Sequence, residues 1–207
     1  MTEGEAPALA RTLIDAGEGL RVEPIVGTLV RFGAPALRFA GERKTRVVPL
    51  RSGERYAERS VALRRLSVDV DSWPAPPAGL FVVEERTVYL RSRSPMTVAH
   101  EFGHALDCAL GEGIYHTTYS QRVRRLYRKA KSFVTPYAST GIDEYFAESV
   151  RAFVEINDPA SFWPRATRVR LRRIDPAMCN YVEQLFRSTF IAARSSAGES
   201  TDHSLKS

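Results

Sequence analysis

Apolar positions along the first half of the chain come in short runs cut by glycine and proline, whereas those of the second half recur at helical spacing. The two textures predict different elements. Pro7 to Ala16 predicts a short helix closed by Gly17. Between Leu20 and Leu50, the runs Val26 to Phe32, Leu37 to Ala40 and Val47 to Leu50 are separated by Gly27, Gly33, Pro35 and Gly41, which suits strands and turns. Arg55 to Leu66 has helical spacing, and Ser72 to Gly79, with Pro74, Pro76 and Pro77, reads as an irregular connector. Leu80 to Val83 and Thr87 to Leu90 predict a hairpin about Glu84 to Arg86, without the Asn-Gly pair that most favours a tight turn.

From Ser94 onward the helices are punctuated. Ser94 followed by Pro95 marks a start, Val98, Ala99, Phe102, Ala105, Leu106 and Ala109 supply a buried stripe, and Gly111 ends it. Thr140 with Asp143 predicts a second start by a variant capping box, for a helix carrying Phe146, Val150 and Phe153 and ending before Pro159. Asp175 and Pro176 open a third, with Tyr181, Val182, Leu185, Phe186 and Phe190 inside. Residues 196–207 read as a polar tail, and no internal repeat is visible.

Composition narrows the class. With 43% hydrophobic and 26% charged residues in 207, the chain can build a self-sufficient core and is not a disordered one. No apolar run approaches the ~20 residues needed to cross a bilayer, so no membrane partner is expected. Met1 to Leu20 carries Glu3, Glu5, Asp15 and Glu18 where a secretory leader needs a basic start and an apolar centre. The expectation is a cytoplasmic chain, with export by a leaderless route as the alternative. Cys108 and Cys179 are too few for a disulfide framework or a cysteine-rich zinc knuckle and read as buried free thiols. The net charge of +6 divides evenly, +3 in residues 1–94 and +3 in residues 95–207, so neither half is polarised.

The chemistry lies in the first punctuated helix, as His100-Glu101-Phe102-Gly103-His104. Residues four apart leave one helix face, so the two imidazoles can share an ion while Glu101 reaches a water on it, and zinc suits that arrangement. A catalytic zinc needs a third protein ligand. The position six after His104 is Leu110, which excludes the metzincin pattern, and His116 follows irregularly after Gly111 and Gly113, while His203 lies in the tail. The better source is the second helix, where Glu144 and Glu148 are one turn apart among apolar neighbours. One can ligate the ion while the other receives the outer N–H of a ligating histidine.

Together, His100-Glu101-Phe102-Gly103-His104-Ala105-Leu106-Asp107, Tyr137, and Glu144 with Tyr145-Phe146-Ala147-Glu148-Ser149 after it resemble the catalytic domain shared by anthrax lethal factor and the Pro-Pro endopeptidases, zinc metalloproteases of the gluzincin kind. The resemblance covers about Leu80 to Val154. It implies His100, His104 and Glu144 as zinc ligands, Glu101 as general base, Tyr137 as oxyanion stabiliser and Glu148 as the carboxylate behind a ligand. It implies a zinc endopeptidase acting on a peptide or protein. The fold expected is a single α+β zincin-like unit over 1–195, with a strand-rich upper lobe (about 1–94) over a helical lower lobe (about 95–195), meeting at the metal. Two arginine-rich stretches, Arg122 to Lys131 and Arg165 to Arg173, raise a rival reading, a nucleic-acid- or partner-binding protein with a structural metal. Nucleic acid is disfavoured because few aromatics stand among those cations.

Overall fold

The computed structural model describes residues 4–161 and 165–192. The tail at 196–207, and His203 with it, lie outside them. The chain opens with three helices, α1 (Glu5–Leu13), α2 (Glu23–Val30) and α3 (Gly33–Glu42), before the first strand, β1 (Arg46–Pro49). Short helices α4 (Tyr56–Arg59) and α5 (Val61–Arg65) follow, then the hairpin of β2 (Gly79–Val82) and β3 (Thr87–Leu90). The remainder is helical: α6 (Pro95–Leu110), α7 (His116–Tyr119), α8 (Gln121–Lys129), α9 (Ile142–Phe153), α10 (Arg168–Ile174) and α11 (Pro176–Gln184), the last running into a π-turn at Leu185–Thr189.

The class is α+β, but the first half of the chain holds fewer strands than its punctuation predicts. Two of the runs expected as strands, Val26 to Phe32 and Leu37 to Ala40, fall largely within α2 and α3. A helix buried on most sides shows a nearly unbroken apolar run, which periodicity cannot tell from a strand. α2 is such a helix, with Ile25, Val26, Thr28 and Leu29 all buried. Pro35 lies in the first turn of α3, where its missing N–H has no helical partner to lose. α1 ends three residues earlier than expected, because Ile14 is extended and bridges Val47, and the Asp15 N–H donates to the Val47 carbonyl at 2.9 Å. Arg55 to Leu66 is broken at Ser60, whose hydroxyl accepts the Leu63 N–H and restarts the helix.

The sheet has the order β1-β3-β2, with β1 parallel to β3 and β2 antiparallel to it. The hairpin register pairs Gly79 with Leu90 and Val82 with Thr87. Its turn is a 3₁₀ segment closed by Arg86 in the left-handed region at φ 50°, the geometry an Asn-Gly pair would otherwise supply. β1 is flanked by Ile14, so β2 is the free edge among the described residues.

α6 is the central element. Eleven of its sixteen residues are buried, and the main apolar cluster joins Phe102 and Leu106 to Leu29, Phe81, Phe146 and Phe190, drawing on both ends of the chain. α9 crosses it with Gly103 facing Ala147: a Cβ on Gly103 would stand 2.9 Å from the Ala147 Cα, closer than packed carbons approach. This contact sets how near the two site helices come. Cys108 and Cys179 are buried free thiols, as expected. Among the described residues, no helix is long and apolar enough to cross a membrane.

Candidate metal centre

Three donors from two helices converge. His100 Nε2 lies 3.1 Å from His104 Nε2, and Glu144 Oε2 lies 3.1 Å from the first and 3.3 Å from the second. Among the described residues this is the one group of three or more His, Cys, Asp or Glu side chains that could hold a metal ion. Local sequence explains the placement. Pro95 starts α6, so the histidines fall one and two turns in and project from one face, and α9 carries Glu144 in its first turn. The expected caps are used otherwise. Ser94 Oγ donates to Asp158 Oδ2 at 2.6 Å, Thr140 Oγ1 donates to the Tyr137 carbonyl at 2.8 Å, and Gly141 caps α9.

The donor set fits a divalent cation. Three vertices of a tetrahedron with arms of about 2.0 Å stand ~3.3 Å apart, close to the edges found here. Glu144 Oε2 is wholly buried yet makes no well-aligned hydrogen bond, an arrangement a cation would satisfy. Charge argues the same way. With neutral imidazoles, Glu101, Glu144 and Glu148 against the one guanidinium of Arg151 leave the centre with a net charge of minus two. The protein alone answers that charge with protons. Burial would lower the His100 pKa, but its close contact with Glu144, its hydrogen bond with Glu148 and the Glu101 charge raise it to about 10. Burial opposes ionisation of Glu144 too, and the two histidines overcome it, holding that carboxyl at about 2.

Behind the donors is a fully bonded carboxylate. Glu148 Oε1 accepts from His100 Nδ1 at 3.0 Å and Arg151 Nε at 2.8 Å, and Oε2 accepts from Thr135 Oγ1 at 2.6 Å and Arg151 Nη2 at 2.8 Å. The bond to Nδ1 fixes the tautomer that leaves the His100 Nε2 lone pair facing the cluster. Arg151 is 2% exposed and also donates to the Ile156 carbonyl at 3.0 Å. Despite burial, its charge and the His100 contact keep the Glu148 carboxyl well below the usual range. Sequence reasoning missed Arg151 and Thr135. Arg151 had a signal, a cation one turn after Glu148 on a helix otherwise rich in core residues, and Thr135 had none. His104 Nδ1 is buried and has no partner among the described residues.

Glu101 lies beneath the start of β2, where a Cβ on Gly79 would stand 2.6 Å from Glu101 Cγ and 2.8 Å from Thr97 Cγ2. Only glycine lets the strand pass there. Burial raises the Glu101 pKa against the pull of both histidines. Tyr137 is 45% exposed, its ring 5.3 Å from that of His100, and its hydroxyl donates to Glu144 Oε1 at 3.1 Å. Of the rival phenols, Tyr145 bonds to Asp175, Tyr119 packs on His116, and Tyr115 lies partly buried with its ring 5.6 Å from that of His104. His116 bonds Tyr181 at 3.0 Å and is not part of the cluster. A cleft of about 280 Å³ opens here, lined by Pro77, Gly79, Met96, Thr97, Thr135 and Tyr137 above His100, Glu101, Glu148 and Arg151.

No family model and no curated protein matches the chain. Among solved structures, the fold is similar to that of the Pro-Pro endopeptidase from Paenibacillus alvei, with a TM-score of 0.60 and 16% identity, over 86% of this chain and 99% of that one. At that identity the likeness is one of fold.

Proposed function

We propose that the protein is a zinc-dependent endopeptidase in which His100, His104 and Glu144 hold the metal, residues 1–195 acting as one catalytic unit. The observation that carries the reading is the triangle of His100 Nε2, His104 Nε2 and Glu144 Oε2 at 3.1 to 3.3 Å, with a buried carboxyl, Glu101, on the same helix beside it. The likeness in fold to a Pro-Pro endopeptidase supports the choice of reaction.

When bound, zinc supplies Lewis acidity, lowering the pKa of a water toward 7 and polarising a carbonyl oxygen. Glu101 takes the proton of the attacking water and returns it to the leaving amine, so the C–N bond breaks with no covalent enzyme intermediate. Burial of Glu101 raises its pKa in the metal-free protein, and the charge of a bound zinc would act the other way. Tyr137 donates its hydroxyl hydrogen to the oxygen on which negative charge grows, exchanging its bond to Glu144 for one to substrate. Glu148, clamped by Arg151 and Thr135, holds the His100 ring in place. The free edge of β2 suits an extended peptide bound by main-chain hydrogen bonds, which favours cutting within a chain over trimming its ends.

The test is digestion of a diverse peptide library with and without a chelator, alongside the Glu101→Gln variant. Internal cleavage that the chelator abolishes, zinc restores and Glu101→Gln lacks while retaining metal is the expected result. Chelator-resistant cleavage, or full turnover by Glu101→Gln, would refute it.

A further inference from the structure

The two arginine-rich stretches meet beside the cleft wall. Residues 113–142 contain six lysines and arginines and no acidic residue, and residues 159–174 contain five arginines and none. On α8, Arg124, Arg125, Arg128 and Lys129 share the face opposite Val123, and all four are exposed, as is Lys131 beyond the helix. None of these five has a carboxylate partner among the described residues. Among the described residues, Arg172 is the one cation of both stretches that reaches a carboxylate, Glu183 at 3.6 Å. The stretches are joined where Arg170 Nε donates to the Val134 carbonyl at 3.0 Å. The next residue, Thr135, lines the cleft, and Tyr137 follows. Tyr137 is the sixth residue after Lys131, so covalent geometry keeps their backbones within ~22 Å, the length of a six- or seven-residue extended peptide.

We infer that this basic surface binds an acidic stretch of the polypeptide substrate, a few residues from the bond cleaved, an inference that rests on the endopeptidase reading. Nucleic acid fits the same charge less well, because it needs aromatic rings free to stack. Among the described residues, the aromatics beside the first stretch, Tyr127 and Phe133, are engaged in packing. Tyr127 lies 5.5 Å from Tyr145 and 5.7 Å from Phe133, with its hydroxyl donating to the Ser139 carbonyl at 2.9 Å. Unpaired surface cations attract an acidic segment over about a Debye length and act mainly on association, so the preference is sensitive to salt.

The test compares two fluorogenic peptide pools with the same degenerate core, one flanked by four glutamates and one by four glutamines, on the wild-type protein and on Arg125→Glu/Arg128→Glu/Lys129→Glu. The wild type is expected to cleave the glutamate pool with roughly tenfold higher kcat/KM at low ionic strength, a ratio falling toward one at ~0.5 M salt. The variant should show no preference while cleaving the glutamine pool unchanged. Cleavage of both pools at equal rates by the wild type would overturn the inference and leave the endopeptidase reading intact. Fluorescence anisotropy of labelled acidic peptide and single-stranded DNA on Glu101→Gln separates the other cases. Binding of the peptide, lost on charge reversal, with no cleavage of either pool would uphold the surface and refute the endopeptidase. DNA binding tighter than peptide binding would overturn the inference in favour of nucleic acid.

Discussion

The crossing of α6 and α9 decides whether the three donors meet, and Gly103→Ala tests it with one methyl group. The new Cβ would lie 2.9 Å from the Ala147 Cα and 3.1 Å from both its Cβ and its carbonyl oxygen. Carbon contacts are comfortable from about 3.5 Å, so the helices must part by roughly 0.5 Å. Two opposing energies follow. Alanine in a helix interior is favoured over glycine by ~1 kcal/mol, and an extra methyl in a close-packed core costs about 1–3 kcal/mol. The net is a loss of at most ~2 kcal/mol, less than about 8 °C in Tm for a chain of this size, so the variant still folds. The centre tolerates less, because two sides of its triangle, at 3.1 and 3.3 Å, run from α6 to α9. Opening them by the same amount should weaken zinc binding about 10- to 100-fold, the range seen when ligand orientation is disturbed. Competition with a chromophoric chelator reads the affinity, and thermal unfolding of the metal-free protein reads the fold. A folded Gly103→Ala protein with wild-type zinc affinity would refute the reasoning.

Other substitutions probe the surroundings. Arg151→Met strands the buried Glu148 carboxylate and should lower stability in urea by about 3–5 kcal/mol, with Arg151→Met/Glu148→Gln recovering part; a loss under ~1 kcal/mol would contradict the ion-pair account. Tyr137→Phe should lower kcat about 10²- to 10³-fold with metal content unchanged, and a normal kcat would remove Tyr137 from the reaction. Asp107 is fully buried and accepts from the Thr117 N–H at 3.0 Å and hydroxyl at 2.7 Å, with His104 and Asp143 the charges that act on it. Burial raises its pKa to about 7, so the folded state binds more protons than the unfolded one between about pH 4 and 7. Stability should therefore fall as pH rises through that window, by up to ~4 kcal/mol, and Asp107→Asn should flatten the slope in urea titrations across pH.

The centre was more legible in the sequence than the first half of the chain. The spacing of His100, His104, Glu144 and Glu148 is helical arithmetic, and both helices formed where their apolar stripes predicted. Asp175 caps α11 as read, accepting the Met178 N–H at 3.0 Å. Three kinds of fact were not local. Whether Ile25 to Val30 coils or extends depends on α2 being buried against α6, which an apolar run does not disclose. Which polar group a hydroxyl meets depends on distant partners, so Ser94 bonds Asp158 and leaves α6 without a side-chain cap. The role of Arg151 depends on Glu148 being buried, and in sequence it is one arginine among 26.

X-ray absorption at the zinc edge of the reconstituted protein tests the metal centre most directly. The account predicts one zinc per chain in a four-coordinate shell of two imidazoles and light oxygen donors at about 2.0 Å, losing one imidazole's outer-shell scattering in His104→Ala. Failure to retain zinc after reconstitution, or a shell unchanged by His104→Ala and Glu144→Ala, would contradict it.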